Sequence, residues 1–231
     1  MFHAKSEVLA LEKNNLRAVF EKSGRAVFIS HLDLLRTMQR AIKRSGIPVW
    51  YSQGFNPHIY LNFPLALSLG VTSKTEFMDF AVTEKCDKNQ LMDKLNKSMP
   101  DGLKIISIDE PHFENKEIGF AEYIIKLKSS ISPEEMQNAL NSMLSLQTIE
   151  IDKRSKSKGT IKLDIKPHIN VFDVYKTPDS LVIGLKLPAG LKLNINSNVF
   201  IDAFSDISGI KFEHIYAERT NILCTNGENF K

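Results

Sequence analysis

The sequence predicts an α+β fold of two ferredoxin-like halves in tandem. Each half has the order β-α-β-β-α-β, an antiparallel sheet and its helices on one face. Three observations carry the expectation. Strand-like and helix-like periodicities follow each other in the same order twice. A polar link at residues 111–116 separates the two runs. The chain has 231 residues, enough for two small cores. Residues 1–14 are set apart as an N-terminal tail, residues 15–112 form the first half and 117–231 the second. No repeat of sequence accompanies the duplication, which rests on element order alone.

The first half opens with a strand at residues 16–23, followed by a helix over 30–45 whose ends are well marked. Ser30 precedes the periodic run and Asp33 stands three residues later, the spacing of a capping box. Gly46 and Pro48 stop the helix, one as a left-handed cap and the other because it cannot extend the ladder. Leu34, Leu35, Met38, Ala41 and Ile42 recur at helical spacing and form the expected buried stripe. A strand at 49–52, an alternating strand at 77–83, a helix at 89–99 and a strand at 103–108 complete this half.

The second half begins with a strand at 120–128, where Tyr123, Ile125 and Leu127 share one face. The helix at 133–146 starts with Ser132 as N-cap, Pro133 at its first position, and Glu134 and Glu135 in its first turn. Strands at 148–153, 160–164 and 181–187, a short helix at 198–204 and a closing strand at 211–220 follow.

Composition bounds the function. Hydrophobic residues make up 42% and charged residues 25%, as in ordinary globular domains. A net charge of +3 permits nucleic acid without selecting it. The two cysteines, Cys86 and Cys224, are far apart in sequence. Without a CxxC or Cys/His spacing they neither build a zinc site nor ligate an iron–sulfur cluster. No cofactor or metal is expected in this chain. No long apolar run and no signal-peptide pattern is present, so a soluble cytoplasmic protein is expected.

Charge placement says more than charge total. Arg36, Arg40, Lys43 and Arg44 share the polar side of the 30–45 helix, with no acidic residue at i±4 to form a salt-bridge ladder. Such a face is either simply solvated or contacts phosphates. Residues 51–58, YSQGFNPH, follow with turn chemistry at Gly54 and Asn56-Pro57. Tyr51, Gln53, Phe55, Asn56 and His58 combine rings that stack on unpaired bases with groups that read base edges. Phe55 as a core plug and His58 as an ordinary surface residue are the plainer readings. A second basic feature is DKRSKSKGTIKLDIKP at 152–167, with six Lys or Arg against two Asp. Lys153, Arg154, Lys156 and Lys158 crowd the tip of an expected mobile hairpin, either as a solubilising loop or as a phosphate-gripping arm. Lys166, Pro167, His168 and Asn170 form a polar cluster after it.

The run SHLDLLRTMQRAIKRSGIPVWYSQGFNPHIYLNFPLALSLGVTSKTEFMDF (residues 30–80) resembles a bacterial domain of unknown function, the radical-SAM-associated family, encoded beside or fused to a radical SAM protein. The likeness is sharp over residues 16–82 and resumes faintly in LDIKPHINVF (163–172) and ERTNIL (218–223). Ser30, His31, Asp33, Arg36, Gly54, Phe55, Asn56, Pro57 and His58 match the family pattern, while Ile59 stands where many relatives carry a second proline. The family often lies near genes for a ribonuclease and for large-subunit ribosomal proteins. The resemblance therefore implies RNA or ribosome metabolism with a radical SAM partner, and supplies no reaction.

Three functions follow as expectations. The first is an RNA-binding accessory protein that presents tRNA or rRNA to a radical SAM enzyme. The second is a metal-independent endoribonuclease of tandem ferredoxin-like type, by fold analogy, with His31 at the start of the first helix as its acid or base. The third is a protein-interaction module whose aromatic loop docks the partner enzyme. The first accommodates both basic features.

Overall fold

A computed structural model describes residues 12–155 and 159–231, with side chains outside 153–155. The first eleven residues of the expected tail, and Lys156 and Lys158 of the hairpin tip, lie outside the described residues.

The first half comprises β1 (Asn14–Lys22), α1 (His31–Ser45), β2 (Leu61–Asn62), β3 (Val71–Val82), α2 (Lys88–Ser98) and β4 (Leu103–Asp109). The second comprises β5 (Ile118–Ser129), α3 (Pro133–Ser145), β6 (Glu150–Ser155), β7 (Gly159–Asp164), β8 (Asn170–Lys176), β9 (Leu181–Pro188), α4 (Ser197–Ser208) and β10 (Phe212–Cys224). The architecture is α+β, with a large, mostly antiparallel sheet in the order β4-β1-β3-β10-β5-β9-β8 and β2 attached to β3. β6 and β7 pair with each other as a separate hairpin.

The two runs of strands meet in a single sheet. β2 is two residues long and pairs with Phe80 and Asp79, which leaves the start of β3 open on that edge. β10 fills it with a short parallel pairing, Ala217↔Val71 to Arg219↔Ser73, while every other named pairing is antiparallel.

The elements differ from the sequence reading in several places; the two-residue β2 was not expected, and α4 is longer than the expected 198–204. The strand expected at 49–52 is reduced to two isolated bridges, Val49↔Val82 and Tyr51↔Ile59, because the chain turns away after Pro48 into a hairpin of its own. β3 begins six residues before the expected 77–83. Its register slips between Phe20↔Glu76 and Lys22↔Ser73, and that bulge breaks the alternation that marks a strand. β8 was not expected at all. It is an edge strand with its own slip between Val171 and Asp173, so its apolar positions lose period two.

Two clusters form the core. Ala18 and Phe20 of β1 and Met78 and Phe80 of β3 pack against Leu34, Met38 and Ile42 of α1 and Leu91 and Leu95 of α2. Tyr123, Ile125, Ile183 and Leu185 pack against Met136 and Leu140 of α3 and Phe200 and Phe204 of α4. Val71 and Phe77 of β3 belong to the second cluster, so the apolar core crosses the seam.

Buried charge marks the same seam. Arg219 is 1% exposed and makes a two-pronged ion pair with Glu76, Nε to Oε1 at 2.9 Å and Nη2 to Oε2. Its remaining donors reach the carbonyls of Ala66 (3.2 Å) and Leu65 (3.1 Å). Burial alone would favour a neutral guanidine, but Glu76 and Tyr123 more than offset it and hold the charge. Lys22 is also 1% exposed, with the Ile29 carbonyl as its ammonium's hydrogen-bond partner at 3.4 Å. Burial lowers its pKa, partly opposed by Glu76 and reinforced by Arg219.

A second pair ties down the link between the halves. Arg17 meets Asp79 at 2.6 and 3.0 Å and donates to the carbonyls of Phe113 and Lys231, both at 2.9 Å, and to Asn115. Its guanidinium lies 4.3 Å from the Phe230 ring centre. The 111–116 link is therefore strapped to β1 and to the last residues of the chain.

Candidate nucleic-acid interface

α1 begins at the expected N-cap, but Ser30 and Asp33 make only half of the expected capping box: the Asp33 carboxylate takes the Ser30 hydroxyl instead of its backbone N–H. Ser30 Oγ accepts from the Asp33 N–H at 3.1 Å and donates to Asp33 Oδ2 at 2.7 Å, while Gly46 ends the helix at φ +66°. Leu34, Met38, Ala41 and Ile42 are buried and Leu35 is half-buried. Arg36, Arg40, Lys43 and Arg44 are all exposed on the other side. No i±4 ion pair forms on this face, as the spacing implied, but two of the four cations are engaged by other contacts. Arg36 reaches Asp33, one turn back at i−3, at 3.4 Å, and both side chains are more than half exposed, so the pair holds little energy. Arg44 donates to the Ser98 carbonyl at 2.7 Å, tying α1 to the end of α2. Arg40 and Lys43 have no ion-pair partner among the described residues.

The chain leaves α1 directly into the hairpin that carries residues 51–58. Trp50 N–H donates to Ala81 O at 2.8 Å and Tyr60 N–H to Trp50 O at 3.3 Å, docking the hairpin base on the end of β3. Ser52 and His58 close the loop. The Ser52 N–H donates to the His58 carbonyl (2.8 Å), the His58 N–H to Ser52 Oγ (3.1 Å), and His58 Nδ1 lies 2.8 Å from Ser52 Oγ and 3.2 Å from Asn56 O. With Nδ1 bare, Ser52 donates to it; with Nδ1 protonated, the ring donates to one of the two oxygens. Either tautomer closes the loop. His58 is thus a brace, and Gly54 at φ +127° makes the turn that only glycine takes easily. Phe55, at the tip, is 105% exposed and no core plug. Tyr51, Gln53 and Asn56 are exposed beside it.

Residues 15–197 match the model of a family described as an uncharacterized protein conserved in bacteria (DUF2344). The chain belongs to that family. The span shared with DUF2344 runs from β1 to the first residue of α4, so it includes α1, the 51–58 hairpin and the β6–β7 hairpin. No curated protein matches the chain.

Elsewhere in this DUF2344 chain the expected site residues stand apart. His31 is the first residue of α1, exposed, with its ring edge-on to Phe63 at 5.5 Å and 76°. It makes no hydrogen bond or ion pair among the described residues, so its company is aromatic. Lys153 and Arg154 lie on β6, whose pairing with β7 runs from Glu150↔Asp164 to Ser155↔Gly159. The groove at the hairpin's foot, about 470 Å³, is shared with α4 and carries Glu150, Asp152, Asp202 and Asp206 against Lys162 alone. It is acidic. Among the described residues no group of His, Cys, Asp or Glu is arranged to hold a metal ion, and no helix is long and apolar enough to cross a membrane.

One cation escaped the sequence reading. Lys13 Nζ lies 3.8 Å from the Tyr60 ring centre and 4.7 Å from that of Trp50, whose rings meet edge to face at 6.1 Å. Nothing local to Lys13 signals this, since its partners come from a hairpin more than thirty residues on.

Proposed function

We propose that this protein is an RNA-binding accessory factor of the bacterial cytoplasm, acting with a radical SAM enzyme in tRNA or rRNA modification or ribosome-related RNA metabolism. The observation that carries the RNA reading is the junction of α1 with the 51–58 hairpin. A helix face of exposed cations runs straight into a braced loop that presents a fully exposed phenylalanine, a tyrosine and two amides. Cations grip phosphates whatever the sequence, and an uncovered ring stacks on an unpaired base. The radical SAM partner rests on the resemblance carried by residues 30–80, and membership of a bacterial family agrees with that setting.

The fold reading belongs with this proposal. We take each half as ferredoxin-like. In its favour, the first half's strands follow the order β4-β1-β3-β2 and the second's β10-β5-β9-β8, the same order by position, with the β6–β7 hairpin inserted after α3.

The test is binding of fluorescein-labelled total tRNA and a uridine 12-mer across a salt series with EDTA present, the RNA recovered on a gel. Tight, steeply salt-dependent binding with intact RNA is expected, weakened in Arg36→Glu/Arg40→Glu. Absence of binding at low salt refutes the reading. Cut RNA, with cutting lost in His31→Ala, replaces it with the endoribonuclease. The exposure of Phe55 also favours a second reading, a module that docks the partner enzyme, which predicts a complex lost in Phe55→Ala and RNA affinity at background.

A further inference from the structure

We propose that the groove between the start of β1 and the start of α2 is a phosphate cradle for a single RNA strand, resting on the RNA-binding reading above. The groove measures about 520 Å³, and its wall carries Lys13, Asn14, Asn15, Lys85, Lys88 and Glu110. Three ammonium groups stand against one carboxylate on that lining; Lys88 also pairs with Asp109 at 2.9 Å, a contact exposed on both sides. Cys86, also on the wall, has its thiol pKa raised by burial and by Glu84, so it adds no anion.

The second observation is an orphan donor. Asn14 lines the groove, and its amide nitrogen is buried without a hydrogen-bond partner among the described residues. A buried N–H without an acceptor is costly, and native structures rarely keep one without a reason. That nitrogen is covered as the side chain stands, so an anionic oxygen in the groove becomes its acceptor when Asn14 turns outward, beside three cations. That chemistry fits a phosphodiester.

The third observation fixes the kind of phosphate. Lys13 belongs both to the groove and to the Trp50–Tyr60 pair at the base of the hairpin. The same lysine thus joins a phosphate-sized cationic site to two aromatic rings and, beyond them, to exposed Tyr51 and Phe55. A strand whose backbone lies in the groove has its bases directed along the hairpin, whereas a free phosphate has no use for the rings. None of its residues is on the α1 face or on the β6–β7 hairpin.

The experiment uses the full chain and a fluorescein-labelled uridine 12-mer, titrated from low to moderate salt by anisotropy. Lys13 and Lys85 are exposed, so Lys13→Ala/Lys85→Ala is expected to unfold close to the wild-type midpoint, lowered only by the lost contact of Lys13 with the Tyr60 and Trp50 rings. Its affinity falls about tenfold, and the slope of log K against log salt drops by about 1.4, two single-strand phosphate contacts. Lys13→Arg/Lys85→Arg retains both, and Asn14→Asp weakens binding by setting a carboxylate against the strand. Photocrosslinking of a 4-thiouridine 12-mer is expected to mark the peptide holding Trp50 or Tyr60. Unchanged affinity and slope in the double alanine variant, with wild-type binding intact and Arg36→Glu/Arg40→Glu still weakened, overturns the cradle and leaves the RNA reading standing. No wild-type binding at low salt overturns both.

Discussion

Replacing Arg219 by methionine tests the seam between the two runs of strands. The substitution removes the guanidinium and leaves the Glu76 carboxylate, 3% exposed, without its counter-ion, and the carbonyls of Leu65 and Ala66 without their donor. Breaking a buried pair by removing one partner costs about 3–5 kcal/mol, because the surviving charge is stranded away from water. Lys22, attracted by Glu76 and repelled by Arg219, takes up part of that charge and places the loss toward the lower end. For a chain of this length a loss of about 3 kcal/mol lowers the melting midpoint by roughly 6–12 °C. The double variant Glu76→Leu/Arg219→Met removes both charges and is expected within about 2 kcal/mol of wild type. Urea unfolding followed by circular dichroism reads all three proteins. A single variant that loses less than about 1 kcal/mol, or a double variant at least as damaged as the single, refutes the stranded-charge reasoning.

The remaining predictions concern other residues. Burial lowers the folded pKa of Lys22 below that of a free lysine, so between the folded and the free value the unfolded chain binds more protons and stability rises with pH. Below that window the penalty is fully present, and Lys22→Met is expected to be more stable at neutral pH and to lose the alkaline rise in urea midpoint. Phe55→Ala is expected to unfold within about 0.5 kcal/mol of wild type while weakening binding of a uridine 12-mer by about 1–3 kcal/mol, the worth of one stacked base. Gly102→Ala is expected to cost about 1–3 kcal/mol by thermal melting, since φ is +85° there and an added Cβ lies 2.4 Å from the Ser23 carbonyl oxygen.

What the sequence disclosed depended on how local the cause was. The α1 boundaries were legible because Ser30, Asp33, Gly46 and Pro48 act on their own turns. α3 was equally plain, with Ser132 and Glu135 forming its capping box and Pro133 at its first position. β8 and the first six residues of β3 were not legible, because bulges erase the period-two pattern. The Phe55 loop was recognisable as a shaped turn from Gly54 and Asn56-Pro57, yet its full exposure is a property of what surrounds it. The same holds for Arg36, whose partner lies at i−3, and for Lys13, whose aromatic partners arrive from a distant hairpin. The ERTNIL segment looked like a faint echo of a family pattern. Its arginine turns out to anchor the seam, through a partner 143 residues away that no local pattern could name.

That separation sets an order of events at the ribosome. β10 is the last strand of the chain, yet it closes the open edge of β3, a strand finished long before. At about 5–20 residues per second, Glu76 precedes Arg219 by roughly 7–30 s during synthesis. Over that interval the first half has an unfilled strand edge and a carboxylate that still needs water. The buried ion pair therefore forms only once β10 has been synthesised, and a product truncated before it carries an exposed edge that is a ready substrate for aggregation or proteolysis.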